Sequence, residues 1–288
     1  MATLASSASP PHRKKKSKAR SSMPGFGLSM GLTLLWLSVI VLIPLSAVFI
    51  RSAGEGWDAF WASAASERAI AAYRVSFGTA FIAGAVNSVF GLLVAWVLVR
   101  YEFPFKRLVN ALVDLPFALP TAVAGIALTA LYADTGWVGK LLPAGLPIAY
   151  HLPGIVIALT FIGLPFVVRT VEPVLAQMGK ESEEAAATLG ATRLQNFTRV
   201  IFPTIAPALA TGFSLAFARG IGEYGSVIFI AGNMPFHTEI APLLIITQLE
   251  QYNYAGATAI AVVMLIASFF MLLLLNLLQG WQRRRVAS

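Results

Sequence analysis

The sequence predicts an all-α membrane protein with six transmembrane helices, and three observations carry that expectation. Of its 288 residues, 57% are hydrophobic and only 12% are charged, about half the charged share of a soluble domain. Six apolar stretches are each about long enough to cross a hydrocarbon core of about 30 Å at about 1.5 Å per residue. The basic residues are dense in every second segment between those stretches, as expected of a chain that crosses a bilayer repeatedly.

The first stretch, 28–50, is too long for the apolar core of a cleavable leader, and no small-residue cleavage site follows "VLIPLSAVFIRS". It is therefore expected to stay as a span. The next segment, "RSAGEGWDAFWASAASERAIAAYR", carries Trp57, Phe60 and Trp61 at the start of alanine-rich helical material and reads as an interfacial helix. Spans are expected over 76–99, 108–132, 152–168, 204–230 and 257–278. The third contains "DLPFALPTAVAG", in which Pro116 and Pro120 each remove a backbone donor and crowd the preceding turn. Backbone freed in this way is tolerated only when buried in protein or lining a cavity, so the break is either a packing kink or part of a path. The chain organises as a basic, disordered tail over 1–25, one membrane domain over 26–282 and a short basic tail over 283–288.

Sixteen of the 21 Lys and Arg residues fall on one side: Arg13 to Arg20, then Arg100, Lys106 and Arg107, then Arg169, Lys180, Arg193 and Arg199, then Arg283 to Arg285. The other side holds Arg51, Arg68, Arg74 and Lys140, and Arg219 lies within the fifth span. This bias puts both termini in the cytoplasm. The net charge of +8 is thus a topology signal, and "RKKKSKAR" reads as a segment facing membrane lipid, with no nucleic-acid partner implied.

Several chemistries are excluded. Cysteine is absent, which removes disulfides, thiolate metal sites and cysteine nucleophiles. His12, His151 and His237 lie far apart, no HExxH or GxSxG pattern occurs, and the glycines of "RGIGEYG" follow no strand. The chain is expected to be no enzyme, to hold no metal or cofactor, and to bind no ATP itself.

The longest cytoplasmic segment, "EEAAATLGATRLQNFTRVIFPTIAPAL", is unusually ordered for a loop. Ser182 can cap a helix whose positive end suits Glu183 and Glu184, the alanines propagate it, and Gly190 permits a sharp turn. A second helix then runs through Leu194, Phe197, Val200 and Ile201 toward Pro203. The result is a two-helix elbow over about 178–203 with a small tip, either an ordered loop or a shape that enters a cleft on another protein.

In the fifth span, Arg219 and Glu223 stand four residues apart on one helix face and can pair. A charge at the bilayer centre disfavours insertion by about 2.5 to 3.5 kcal/mol, so the pair should face the bundle interior or a watery cavity. It either fixes helix packing or serves an anion route. Asp114, about a turn and a half inside the cytoplasmic end of the third span, can reach the interface or pair with Arg107.

Glu184, Ala185, Ala186, Gly190, Val200, Phe202 and Pro203 follow the spacing of the "EAA" loop of permease subunits in bacterial ABC importers, with Val and Phe replacing Ile and Leu. "PGFGLSMGLTLLWLSVIVLIPLSAVF", "LVDLPFALPTAVAGIALTALY" and "ARGIGEYGSVIFIAGNMP" resemble the sulfate/thiosulfate permeases of the T type, from about Pro24 to about Gln282. The resemblance implies a type I importer permease fold in the bacterial inner membrane and a coupling role for the elbow. It also implies a second permease of the W type, two ATPase subunits that bind ATP and Mg, and a periplasmic sulfate/thiosulfate-binding protein. The translocation path is expected to include Pro116, Pro120, Thr121, Arg219 and Glu223. A molybdate or tungstate permease is the alternative within the family, and an ATP-independent channel or carrier is the alternative outside it.

Overall fold

The computed structural model describes residues 26–54, 56–143, 146–179 and 181–286; the 1–25 tail and Lys180 lie outside them. The described residues are helical or irregular, with no strand. The described residues divide into two compact units, 26–47 and 48–286. In the first, α1 (Phe26–Leu37) passes through a π-helical turn, Ser38–Leu42, into α2 (Ile43–Gly54). No residue of α1 is buried. A helix apolar on every side needs lipid or another membrane protein around it.

The second unit begins within α2. A helix forms in the segment after the first span, α3 (Trp57–Ala64), whose Trp57, Phe60 and Trp61 rings pack on one another at 5.2 to 5.8 Å. Ser66 then caps α4 (Glu67–Arg100), accepting from the Ala69 amide at 3.3 Å. At 34 residues α4 begins nine positions before the expected span, because "ERAIAAYR" is strong helix former and nothing in it stops propagation. The last span also starts early and runs on, as α13 (Tyr254–Val286), so Arg283 to Arg285 continue a helix where a tail was expected.

The third span is two helices. α5 (Lys106–Ala118) and α6 (Thr121–Tyr132) meet at 114°. Leu119 is extended (φ −82°, ψ 135°) because the ring of Pro120 excludes a helical residue before it. Pro116 is accommodated inside α5, so Pro120 makes the break.

α7 (Leu152–Gln177) extends nine residues past the expected end of the fourth span. Arg169 therefore lies inside a helix and not in the cytoplasmic segment to which the charge count assigned it. α10 (Phe202–Ile221) ends early: Gly220 and Gly222 flank its last residue, and Glu223 lies just beyond the helix. A single turn, α11 (Val227–Ile230), follows. The segment left unread before α13 holds α12 (Ala241–Glu250), too short to span, whose first amide donates to Ser76 Oγ at 2.8 Å.

α4, α7 and α10 form the core. Ala80, Ala83, Ile155, Leu159, Phe217 and Ile221 fill one half, and Ala95, Leu98, Val167, Val171, Ile205 and Ala216 the other. Hydrophobicity alone does not drive helices together in lipid, so close packing must. Val167 sits between glycines of both neighbours: a β-carbon on Gly91 would stand 2.8 Å from its Cγ1, and one on Gly212 2.8 Å from its Cα.

Candidate functional site

The elbow forms from α8 (Glu181–Thr188), a turn at Gly190, and α9 (Arg193–Asn196). Gly190 has φ +81°, and its amide donates to Ala187 O (3.0 Å) while that of Ala191 donates to Ala186 O (3.1 Å). This Schellman pairing satisfies the last carbonyls of α8 and needs a left-handed residue at its centre. Ser182 lies inside α8 and is not its cap. The cap of the second arm was missed, although "TRLQ" carries its signature: Thr192 Oγ1 accepts from the Gln195 amide, and Gln195 Oε1 accepts from the Thr192 amide.

The second arm is not free-standing. α9 continues through a π-helical stretch, Phe197–Ile201, directly into α10, so Val200, Phe202 and Pro203 belong to the fifth span. Pro203 lacks the N–H that a regular helix would use, which favours the wider turn before it. The elbow is thus the bent start of a membrane helix, and a push on its tip acts on α10 without an intervening hinge loop.

Arg100, the last residue of α4, fastens the elbow. Its guanidinium donates to Glu183 and to Gly179 O (3.0 Å) and lies 5.7 Å from the Trp96 ring centroid. Asn196 Nδ2 ties the two arms together by donating to Glu183 O at 3.3 Å. Glu184 and Ala185 face outward. So do Leu189, 89% exposed, and Leu194, 71% exposed.

At the other site the structure joins what the sequence kept separate. Arg219 Nη1 meets Glu223 Oε2 at 2.5 Å, and Glu223 Oε1 accepts from the Ser226 amide (2.9 Å) and hydroxyl (3.0 Å). The pair therefore forms, but across a helix end instead of along one helix face. Glu223 is 2% exposed at its side chain and Arg219 is 37% exposed. The carboxylate is an internal post, and the guanidinium looks out from it.

The loop carrying Glu223 and Ser226 lies against the break in the third span. A β-carbon on Gly125 of α6 would stand 2.8 Å from Ser226 Cα and 2.9 Å from its carbonyl carbon. One on Gly225 would stand 3.3 Å from the Thr121 β-carbon. Backbone thus packs on backbone at Gly125 and on the Thr121 side chain at Gly225, bringing the start of α6 beside the Arg219–Glu223 loop. Pro116 lies on the far arm of the break, in α5. The glycines carry this contact, and the sequence shows Gly125 in the interrupted third span without showing what it packs against.

Asp114 does not pair with Arg107. Arg169 takes it bidentately, Nε to Oδ1 at 2.8 Å and Nη2 to Oδ2 at 2.6 Å. The same guanidinium donates to the side chain (2.8 Å) and carbonyl (3.0 Å) of Asn110 and to Glu172 (2.5 Å). The helical extension of α7 brings Arg169 into reach. Of the histidines, His151 precedes α7 and bonds Ala149 O at 2.9 Å, and among the described residues no acidic or histidine cluster could hold a metal.

The chain is thus a helical bundle with one sharply broken span and an elbow at the start of another. Its fold matches a chain of a bacterial ABC transporter involved in the import of the acidic polysaccharide alginate, with a TM-score of 0.73 at 19% identity, covering 92% of this chain and 97% of that one. The chain belongs to the binding-protein-dependent transport system inner membrane component family, whose model matches residues 87–288. It is accordingly a multi-pass protein of the inner membrane. It is 52% identical over 253 residues to the sulfate transport system permease protein CysT of Synechocystis sp., covering 88% of each chain. It is 47% identical over 271 residues to the CysT of Salmonella typhimurium, covering 94% of this chain and 98% of that one.

Proposed function

We propose that this chain is the membrane-spanning subunit through which sulfate or thiosulfate enters the cell by alternating access. The geometric observation that carries the transport reading is the meeting of the broken third span with the Arg219–Glu223 loop. The anion assignment rests on similarity to permeases named for sulfate transport. The start of α6 supplies the positive end of a helix dipole, Thr121 a hydroxyl, and Arg219 a partly exposed guanidinium, all of which favour an oxyanion. Glu223 neutralises and orients Arg219, so that a dianion passes without being trapped.

Energy comes from outside the chain in this reading. Two partner ATPase subunits bind ATP and Mg and receive the elbow, with Glu184, Ala185 and Ala186 on its face and Leu189 at its tip. A second permease of the W type completes the path, and a periplasmic sulfate/thiosulfate-binding protein delivers the anion. The family's dependence on a binding protein supports that last assignment.

Reconstituted complexes test the coupling. Gly190→Val must hold a β-branched residue at a left-handed position, disfavoured by about 1 to 2 kcal/mol, and Glu184→Lys puts the wrong charge in the first turn of α8. Both variants are expected to insert normally and to lose most sulfate uptake and most ATPase stimulation by the loaded binding protein. Wild-type values for both quantities in both variants would remove the elbow from coupling. Sulfate uptake resisted by excess molybdate supports the anion assignment, and uptake abolished by it reverses that assignment.

Topology is checked with introduced cysteines, since the chain has none of its own. Leu141→Cys is expected to react with an impermeant maleimide on intact spheroplasts, and Leu189→Cys only after the inner face is opened. The opposite pattern would invert the orientation.

A further inference from the structure

We propose that Arg169 is a positioning residue that makes α5, the elbow-side half of the broken span, travel with α7 as one body. This rests on the coupling role given to the elbow above. α8 begins four residues after the end of α7, so a displacement of the elbow reaches α7 across a short connection. What α7 carries with it depends on how α5 is attached.

That attachment is narrow. Of the 13 residues of α5, only Val113 and Pro116 are buried, and Leu108, Leu112, Leu115 and Phe117 are exposed. An edge-on contact of Phe117 with Phe166, 5.2 Å between centroids, joins the ends nearest the break. Val113 and the partly buried Val109 pack on the cluster of Val167, Val168 and Val171, and the polar part of the hold is Arg169, which binds Asp114, Asn110 and Glu172 at once. A planar fork that grips a carboxylate in two bonds and a backbone carbonyl in a third fixes both position and rotation. Arg169 lies eight residues, about 12 Å, from the elbow end of α7, on the line from the elbow to the break. The arrangement converts movement of α7 into movement of the α5 side of the Leu119–Pro120 joint, while α6 stays against the Gly225–Ser226 loop.

The test uses the complete transporter, with partner subunits freed of reactive thiols. Arg169→Lys keeps the charge but cannot hold Asp114 and Asn110 together. It is expected to assemble in normal yield and keep its binding-protein-stimulated ATPase while sulfate uptake falls about tenfold, the size of a typical coupling free energy. A purely structural role would lower yield, ATPase and uptake together, and that result overturns the proposal, as does normal uptake. The double variant Asp114→Cys with Arg169→Cys decides independently of how well Arg169→Lys folds. Bridging the two thiols with a short bifunctional reagent is expected to restore uptake, because the helices need not part. Uptake that stays low after quantitative bridging sinks the idea. Gly190→Val measured in parallel separates the two readings: it reports on the elbow, and the bridged pair reports on the clamp.

Discussion

Gly125→Val is expected to abolish recovery of assembled complex. The added carbon would stand 2.8 Å from Ser226 Cα and 2.9 Å from its carbonyl carbon, and both are backbone atoms that no rotamer change can move. Overpacking a close-packed interior disfavours folding by about 1 to 3 kcal/mol even where side chains can yield, so a backbone clash belongs at the upper end or beyond. Gly78→Ala is the control: it lies in a membrane helix with nothing within 4 Å of the new carbon. Size-exclusion yield from matched membranes measures both. Near-normal recovery of the Gly125 variant would mean that α6 and the Glu223 loop are not in contact as described.

The second large effect is at Glu223, where the structure also decides which variants are informative. Glu223→Ala strands Arg219 and leaves the Ser226 amide and hydroxyl without their acceptor. Breaking a buried ion pair disfavours folding by about 3 to 5 kcal/mol, reduced here because Arg219 is 37% exposed; each orphaned donor adds about 1 to 3 kcal/mol. Complex yield is expected to collapse. Glu223→Gln keeps an oxygen for Ser226 and removes only the charge, so assembly should survive while sulfate uptake falls by about tenfold as the unneutralised guanidinium holds the anion. Wild-type uptake by the Gln variant would reduce the pair to a packing device. Exchanging the two residues, natural for a pair along one helix face, is a poor test: an arginine at 223 has no acceptor for Ser226.

How far the sequence reaches differs between the two sites. At the elbow, Gly190, the alanine run and the acidic first turn are local signals, and the turn they imply is present with its φ of +81°. The shape was legible because a helix start, a helix stop and a left-handed glycine are properties of a few adjacent residues. Its attachment was not, because Arg100 and Glu183 are distant in sequence and only the packing of α4 beside the elbow joins them. Helix ends were the weaker part throughout. Apolar windows locate the stretch that prefers lipid, whereas α4, α7 and α13 continue into polar residues that are equally good helix formers.

By itself, then, the sequence determined the apolar character of the spans, a break at the prolines of the third one, the turn at Gly190 and the resemblance to importer permeases. The first three follow from transfer to lipid or from backbone sterics within a few residues, and the resemblance rests on the matched motifs. Tertiary structure alone decided that Arg169 and not Arg107 holds Asp114, that Glu223 lies past a helix end with Ser226 as its second partner, and that this loop rests on Gly125 and Thr121. Those are pairings between residues tens of positions apart. A charge or a missing β-carbon shows that some close partner exists, and only the packing of helices fixes which one, because many partners satisfy the same local chemistry and steric fit admits one.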